Sequence, residues 1–146
     1  MYSRILLPTN GSDLCDAAAD QGIQFAKSVN ATLVAFHAIP ASFYVAFTEF
    51  GPAEPLQDQF EKDAQLRGDN LVAEIAERCK SAGVASETFT LVNDHAWEAI
   101  IEAANTKRCD LIFMASHGRR GLSALLLGSE TMKVLTHTKV PVLVYR

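Results

Sequence analysis

The chain has 146 residues, of which 49% are hydrophobic and 21% charged, with a net charge of -4. That is the balance of one ordinary globular domain. The acidic excess, with no basic run longer than the pair Arg119–Arg120, argues against nucleic-acid binding.

Tyr2 to Pro8 reads as a short strand with Ile5, Leu6 and Leu7 at its centre. The apolar run is too short for a leader peptide or a membrane span, so a cytoplasmic protein is expected. Thr9 to Ser12 is turn chemistry, with Ser12 or Asp13 placed to cap a helix from about Asp13 to Ser28. Leu14, Ala18, Phe25 and Val29 carry its apolar face. Ala31 to Ile39 is a second strand, bounded by Asn30 and Pro40.

Pro40 to Pro55 breaks the pattern with three of the five prolines and four aromatics, Phe43, Tyr44, Phe47 and Phe50. It reads as a loop tucked on its own core or as a lid or partner surface. A helix follows over Leu56–Ala82, carried by Phe60, Ala64, Leu71, Ile75 and Cys79 and stopped by Gly83. Val84 to Val92 is a third strand, and Asp94 is placed to cap a helix through Trp97, Ile100, Ile101 and Ala104. Asp110 to Ser116 is almost wholly apolar, as a strand covered on both faces must be. A short helix from Ser129 to about His137 and a strand over Val140–Tyr145 close the chain.

The order β-α-β-α-β-α-β-α-β predicts an α/β fold, an open parallel sheet with helices on both faces and right-handed crossovers. Ligands of such sheets sit beyond the carboxyl ends of the strands, where the strand order reverses. If the first and fourth strands are neighbours there, Pro8–Gly11 and Ser116–Gly118 face each other across a crevice.

The fourth strand runs into MASHGRRGLSALLLGSET, which holds Gly118, Gly121, Gly128 and Ser129. Two turns and a helix cap explain these residues, and so does a phosphate cradle of backbone N–H groups at a helix start. There is no G-x-x-x-x-G-K-S/T and no G-x-G-x-x-G after the first strand, so neither a Walker loop nor a dinucleotide site is read. The three cysteines, Cys15, Cys79 and Cys109, are widely spread and share no ligand spacing with the histidines. Free thiols are expected and zinc is not. His37 reads as a satisfied strand residue, His95 and His137 as local caps or helix-dipole partners, and Trp97 as core or an amphipathic helix face. No nucleophile–base pair is visible.

The stretches LLPTNGS, ASHGRRG, LLLGS and PVLVYR together resemble the universal stress protein family, and the likeness covers Tyr2 to Arg146. The resemblance implies a Rossmann-like sheet of five parallel strands in the order 3-2-1-4-5, which makes the first and fourth strands neighbours. It also implies a regulatory stress-response dimer that binds ATP or another adenine nucleotide, with or without magnesium. Many members use G-x2-G-x9-G-S/T for this. Gly118, Gly128, Ser129 and the N–H of Glu130 would then hold phosphate, with Met114 and Ala115 near the sugar and base. Pro8, Thr9, Asn10, Ile39, His117 and Arg119 would complete the site.

Three residues depart from the nucleotide-binding pattern. Ala115 replaces its first glycine. Asn10 stands where an aspartate is usual, which exchanges a charge-assisted hydrogen bond for a neutral one at a cost of about 1 kcal/mol. Glu130 puts a carboxylate beside the phosphates. A nucleotide-independent interaction protein and a slow hydrolase using His117 with a divalent metal are the alternatives. The family commonly dimerises through its last strand, so Val140, Val142 and Val144 are the expected edge of a homodimer, and an unidentified regulatory protein is the expected partner.

Overall fold

The computed structural model describes residues 1–41, 54–118 and 126–146. Most of the aromatic Pro40–Pro55 segment, and Arg119 and Gly121 of the glycine-rich stretch, lie outside the described residues. The elements are β1 (Arg4–Pro8), α1 (Asp13–Val29), β2 (Thr32–Ile39), α2 (Glu54–Ala82), β3 (Ser86–Val92), α3 (Ala96–Thr106), β4 (Leu111–Ala115), α4 (Ser129–His137) and β5 (Val142–Tyr145). They form one parallel sheet of five strands in the order β3-β2-β1-β4-β5.

Alternation along the strands divides the core into two layers. Ile5, Leu7, Leu33, Ala35 and Phe113 pack with Ala18, Ile23, Ile75 and Cys79 of α1 and α2. Leu6, Val34, Phe36, Ile112 and Met114 pack with Ile100, Ala103 and Val134 of α3 and α4. Helices on both faces leave the inner strands β1, β2 and β4 largely apolar, whereas the edge strand β3 keeps Ser86, Glu87, Thr88 and Thr90.

The element ends follow local chemistry. Ser12 caps α1, its Oγ accepting from Cys15 N–H at 3.3 Å. Asn30, in the left-handed region at φ 55°, ends that helix. Gly83, at φ 74°, ends α2 as its sequence position predicts. Asp94 does not cap α3. The N-cap is His95, which makes no side-chain capping bond. Asn93 Oδ1 accepts from His95 N–H at 2.9 Å. The first-turn N–H of Trp97 is satisfied instead by Glu130 of α4, at 2.8 Å. The helix starts one residue beyond the position that Asp94 could serve.

At the amino end of the sheet, the Asp110 carboxylate accepts from Ser3 N–H (2.8 Å), Ser3 Oγ–H (2.7 Å) and Arg4 N–H (2.9 Å). Burial opposes its charge, but these donors outweigh burial and hold its pKa below the usual value. The Arg4 guanidinium reaches Glu87 Oε1 at 3.0 Å, and this bond lowers the pKa of Glu87. Lys107 stands 3.6 Å from the same carboxylate and 4.7 Å above the Phe89 ring.

The carboxyl end is different. β1 pairs with β2 as far as Pro8↔Phe36, but with β4 only from Ile5↔Leu111 to Leu6↔Ile112. Arg4 C=O accepts from Asp110 N–H, so the even residues of β1 turn their backbone groups toward β4. Pro8 falls on that register and has no N–H to give. The two strands therefore part beyond Leu6.

β5 is the sheet edge and is shorter than the sequence suggests. Val140 lies before it, half-buried against the α3/α4 layer, with its N–H donated to Thr138 Oγ1 at 3.0 Å. Pro141 follows Val140 and the strand begins only after it, so Val140 is not an edge-strand residue. Among the described residues no helix is long and apolar enough to cross a membrane.

Candidate functional site

A cleft of about 140 Å³ opens where β1 and β4 part. Pro8, Thr9 and Asn10 form one wall, and Met114, Ala115, His117 and Gly118 the other. Phe36 and Ala38 of β2 with Ala96 and Ile100 of α3 give it an apolar side, while Glu130 and Thr131 of α4 close the far end.

Each wall is fixed by its own backbone bonds. Thr9 N–H donates to Phe36 C=O at 2.8 Å, and Thr9 C=O accepts from His37 Nδ1–H at the same distance. His37 is thus a satisfied strand residue, with a proton on Nδ1. Asn10 Oδ1 accepts from Ser12 N–H at 3.0 Å, an Asx turn that aims the amide nitrogen across the cleft. A Cβ on Gly118 would stand 2.5 Å from that nitrogen, so a larger residue there would have to displace the Asn10 amide.

The start of α4 is joined to the end of β4. Gly128 N–H donates to Ser116 C=O at 2.8 Å, and Thr131 Oγ1–H to Ala115 C=O at 3.1 Å. A Cβ on Gly128 would meet His117 Cα at 3.0 Å and Ser116 O at 3.3 Å, both backbone atoms with little room to move. The first intrahelical bond comes from Met132 N–H to Gly128 C=O. The N–H groups of Ser129, Glu130 and Thr131 therefore have no partner within the helix. This is the electrostatic setting that suits an anion.

Most of the residues expected from the sequence meet here. Pro8, Thr9, Asn10, Met114, Ala115, His117, Gly118 and Glu130 line the cleft, while Gly128 and Ser129, the N-cap and first residue of α4, are not among its lining residues. Ile39 does not line it. Alternation along β2 turns its side chain to the other face, where its Cγ1 and Cδ1 lie 3.2 Å from the Cβ position of Gly68 in α2. Ala115 likewise directs its methyl into the α1 side of the core, among Ile5, Leu7 and Cys15. An alanine in place of the first motif glycine is thus absorbed by packing.

Seven lining residues were not read as site residues from the sequence: Cys15, Phe36, His37, Ala38, Ala96, Ile100 and Thr131. Cys15 follows the Ser12 cap by three residues, which puts it in the first turn beside the β1 loop, and Thr131 adjoins Glu130. Ala96 carries no signal of its own. All three cysteines are free and buried. Burial pushes the Cys109 thiol up to about 11 and raises that of Cys79. His117 Nδ1 lies 3.0 Å from Ser116 Oγ, and His137 Nδ1–H donates to Lys133 C=O at 2.8 Å, the capping role its position predicts. Trp97 packs on the α3/α4 layer with its ring centroid 4.6 Å from that of His137.

A model of the universal stress protein family matches residues 1–146. The chain belongs to the universal stress protein family. Universal stress protein MJ0531 of Methanocaldococcus jannaschii is 31% identical over 146 residues, spanning 100% of this chain and 83% of that protein. The solved structure of MJ0577, from the same organism, superposes with a TM-score of 0.82 at 26% identity over 99% of this chain and 95% of that one. A universal stress protein solved in complex with cAMP superposes with a TM-score of 0.72 at 25% identity, over 99% of this chain and 97% of that one. The sheet order 3-2-1-4-5 is thus that of a universal stress protein.

Proposed function

We propose that the cleft between β1 and β4 binds an adenine nucleotide, and that the protein acts as a stress-response regulatory homodimer whose partners respond to occupancy. The observation that carries this reading is the pair of glycines at the cleft. Gly118 and Gly128 stand where a Cβ would meet Asn10 and the backbone of His117, beside a helix start whose first N–H groups have no partner within the helix. The cAMP-bound relative supports the same ligand class.

The apolar side formed by Phe36, Ala38, Ile100 and Met114 suits a base. A cleft of about 140 Å³ has room for one aromatic group, since cavities of about 150 Å³ take up benzene. The sugar and phosphate then extend toward Gly118 and the N-terminus of α4. Asn10 offers its amide as a neutral hydrogen-bonding group to the sugar or base.

Equilibrium dialysis with labelled adenine nucleotides, on the native chain and on Gly128→Val, tests the reading. Saturable binding that the valine abolishes is expected. Failure to bind adenosine, AMP, cAMP or ATP at millimolar concentration would leave the glycines as turn residues and point to a nucleotide-independent interaction protein. What supports the dimer is the edge position of β5. Pro141 and Tyr145 turn their carbonyls to Ile112 of β4 and to Ser116 just beyond it, so Val142 and Val144 direct their backbone groups outward.

A further inference from the structure

The Asn10 side chain is held in one sense. Its Oδ1 accepts from Ser12 N–H at 3.0 Å, a place that the amide nitrogen cannot take because it only donates. Nδ2 therefore points the other way, into the cleft that Asn10 lines. The Cβ position of Gly118 lies 2.5 Å from Nδ2 and 3.8 Å from Cγ, so the nitrogen leads across the gap. Among the described residues none accepts its protons. Thr9 is similar, its Oγ1 accepting from Gly11 N–H at 3.2 Å. The β1 loop thus spends side-chain oxygens on its own backbone and presents a donor to the cleft.

An aspartate in the same turn would do the reverse. One carboxylate oxygen would accept from Ser12 N–H, and the other would face the cleft as a charged acceptor. Asparagine here does more than remove a charge. It inverts the polarity of the group that a ligand meets.

We infer that Asn10 sets the sugar specificity of the cleft by donating to a ribose oxygen. The ligand class is adenosine and its derivatives in which that oxygen is a free hydroxyl, an ether or an ester. The inference rests on the nucleotide reading above, in which the sugar extends toward Gly118. A sugar oxygen accepts from Nδ2–H whether or not it carries a proton, whereas a carboxylate can meet it only through that proton. The contact is made at the sugar and needs no phosphate.

Uncharged nucleosides test it by equilibrium dialysis. The probes are adenosine, the deoxy analogues lacking one or the other ribose hydroxyl, and the matching O-methyl ethers, each with the native chain and with Asn10→Asp. Aspartate keeps an acceptor for Ser12 N–H, and a thermal melt verifies that the variant is folded. In the native chain one deoxy analogue is expected to bind about fivefold weaker than adenosine, the loss of one neutral hydrogen bond. The ether at that same position is expected to stay within about threefold of adenosine, since its oxygen still accepts. In Asn10→Asp that ether is expected to fall at least about tenfold behind adenosine, because two acceptors then meet with no proton between them. Comparing the ether-to-adenosine ratios of the two proteins cancels the steric cost of the methyl group.

Equal ratios in the two proteins overturn the inference, and so does an ether at that position that binds neither. A native chain indifferent to both deoxy sugars overturns it too, by taking Asn10 off the sugar. These outcomes leave adenosine binding, and with it the nucleotide reading, in place. Failure of adenosine to bind the native chain at millimolar concentration also overturns the inference. If AMP, cAMP and ATP fail as well, the nucleotide reading falls with it.

Discussion

The Asp110 carboxylate takes three hydrogen bonds from Ser3 and Arg4, residues more than a hundred positions away in the chain. Their effect on its pKa has a sign that can be followed. The folded value lies below the ordinary 3.8, so the stabilisation is fully present above the unfolded pKa and fades as the pH falls through the folded one. Asp110→Asn is expected to cost about 1 kcal/mol at neutral pH. The gap from the native chain should close on acidification below about pH 4, as followed by urea melts across that range. Residues of this kind are hard to read from sequence because their partners are distant. The same is true of Glu130, whose partner Trp97 stands 33 positions away. Gly118 and Gly128 were legible, since glycine types mark a close backbone approach whichever atom does the approaching. Ile39 was misplaced because resemblance carried a position but not the face of β2 to which its side chain turns.

At the scale of the element, α1 shows packing overriding propensity. Gly22 lies in mid-helix, where alanine is favoured by about 1 kcal/mol, yet it is where α1 crosses the sheet. A Cβ there would stand 2.6 Å from Leu7 Cδ1 and 3.3 Å from Phe113 Cδ1. Leu7 is only 1% exposed and has little space to rotate into. Gly22→Ala is therefore expected to lower stability, since overpacking costs about 1–3 kcal/mol, and a fall in the midpoint of thermal unfolding would register it. The order and type of all the described elements were legible from apolar runs and turn residues, because these depend on local periodicity. Element ends were less so. Tyr2 and Ser3 lie before β1, Val84 and Ala85 before β3, and Val140 before β5. Apolar type alone does not mark where ladder pairing begins. Asp94 failed as a cap for a related reason: α3 found its acceptor in another helix.

For the whole molecule, the proposed homodimer pairs along the edge strand β5. Val144 directs its N–H away from β4, where proline is tolerated because no ladder bond is lost. Val144→Pro is expected to leave the fold intact by circular dichroism while converting the dimer to monomer and lowering its melting temperature, and sedimentation velocity on the two proteins reads the difference. A native chain that sediments as a monomer would remove the dimer from the proposal without touching the cleft. Ligand and assembly can also be separated by heat. A nucleotide at about a hundred times its dissociation constant adds about 2.7 kcal/mol to the stability of a binding-competent fold, whether or not the edge is paired.

The missing N–H of Pro8 has a consequence for how the protein could be improved or spoiled. At its amino end the sheet is fastened by Asp110, Ser3 and Arg4, while at the carboxyl end β1 and β4 are released from one another. The assembly resembles a clothes-peg, sprung at one end and open at the other. A residue with an N–H at position 8 would let the ladder run further and close the jaw. Selection for thermal stability alone would favour such a change, and the population that survived it would have lost the gap in which anything can be held.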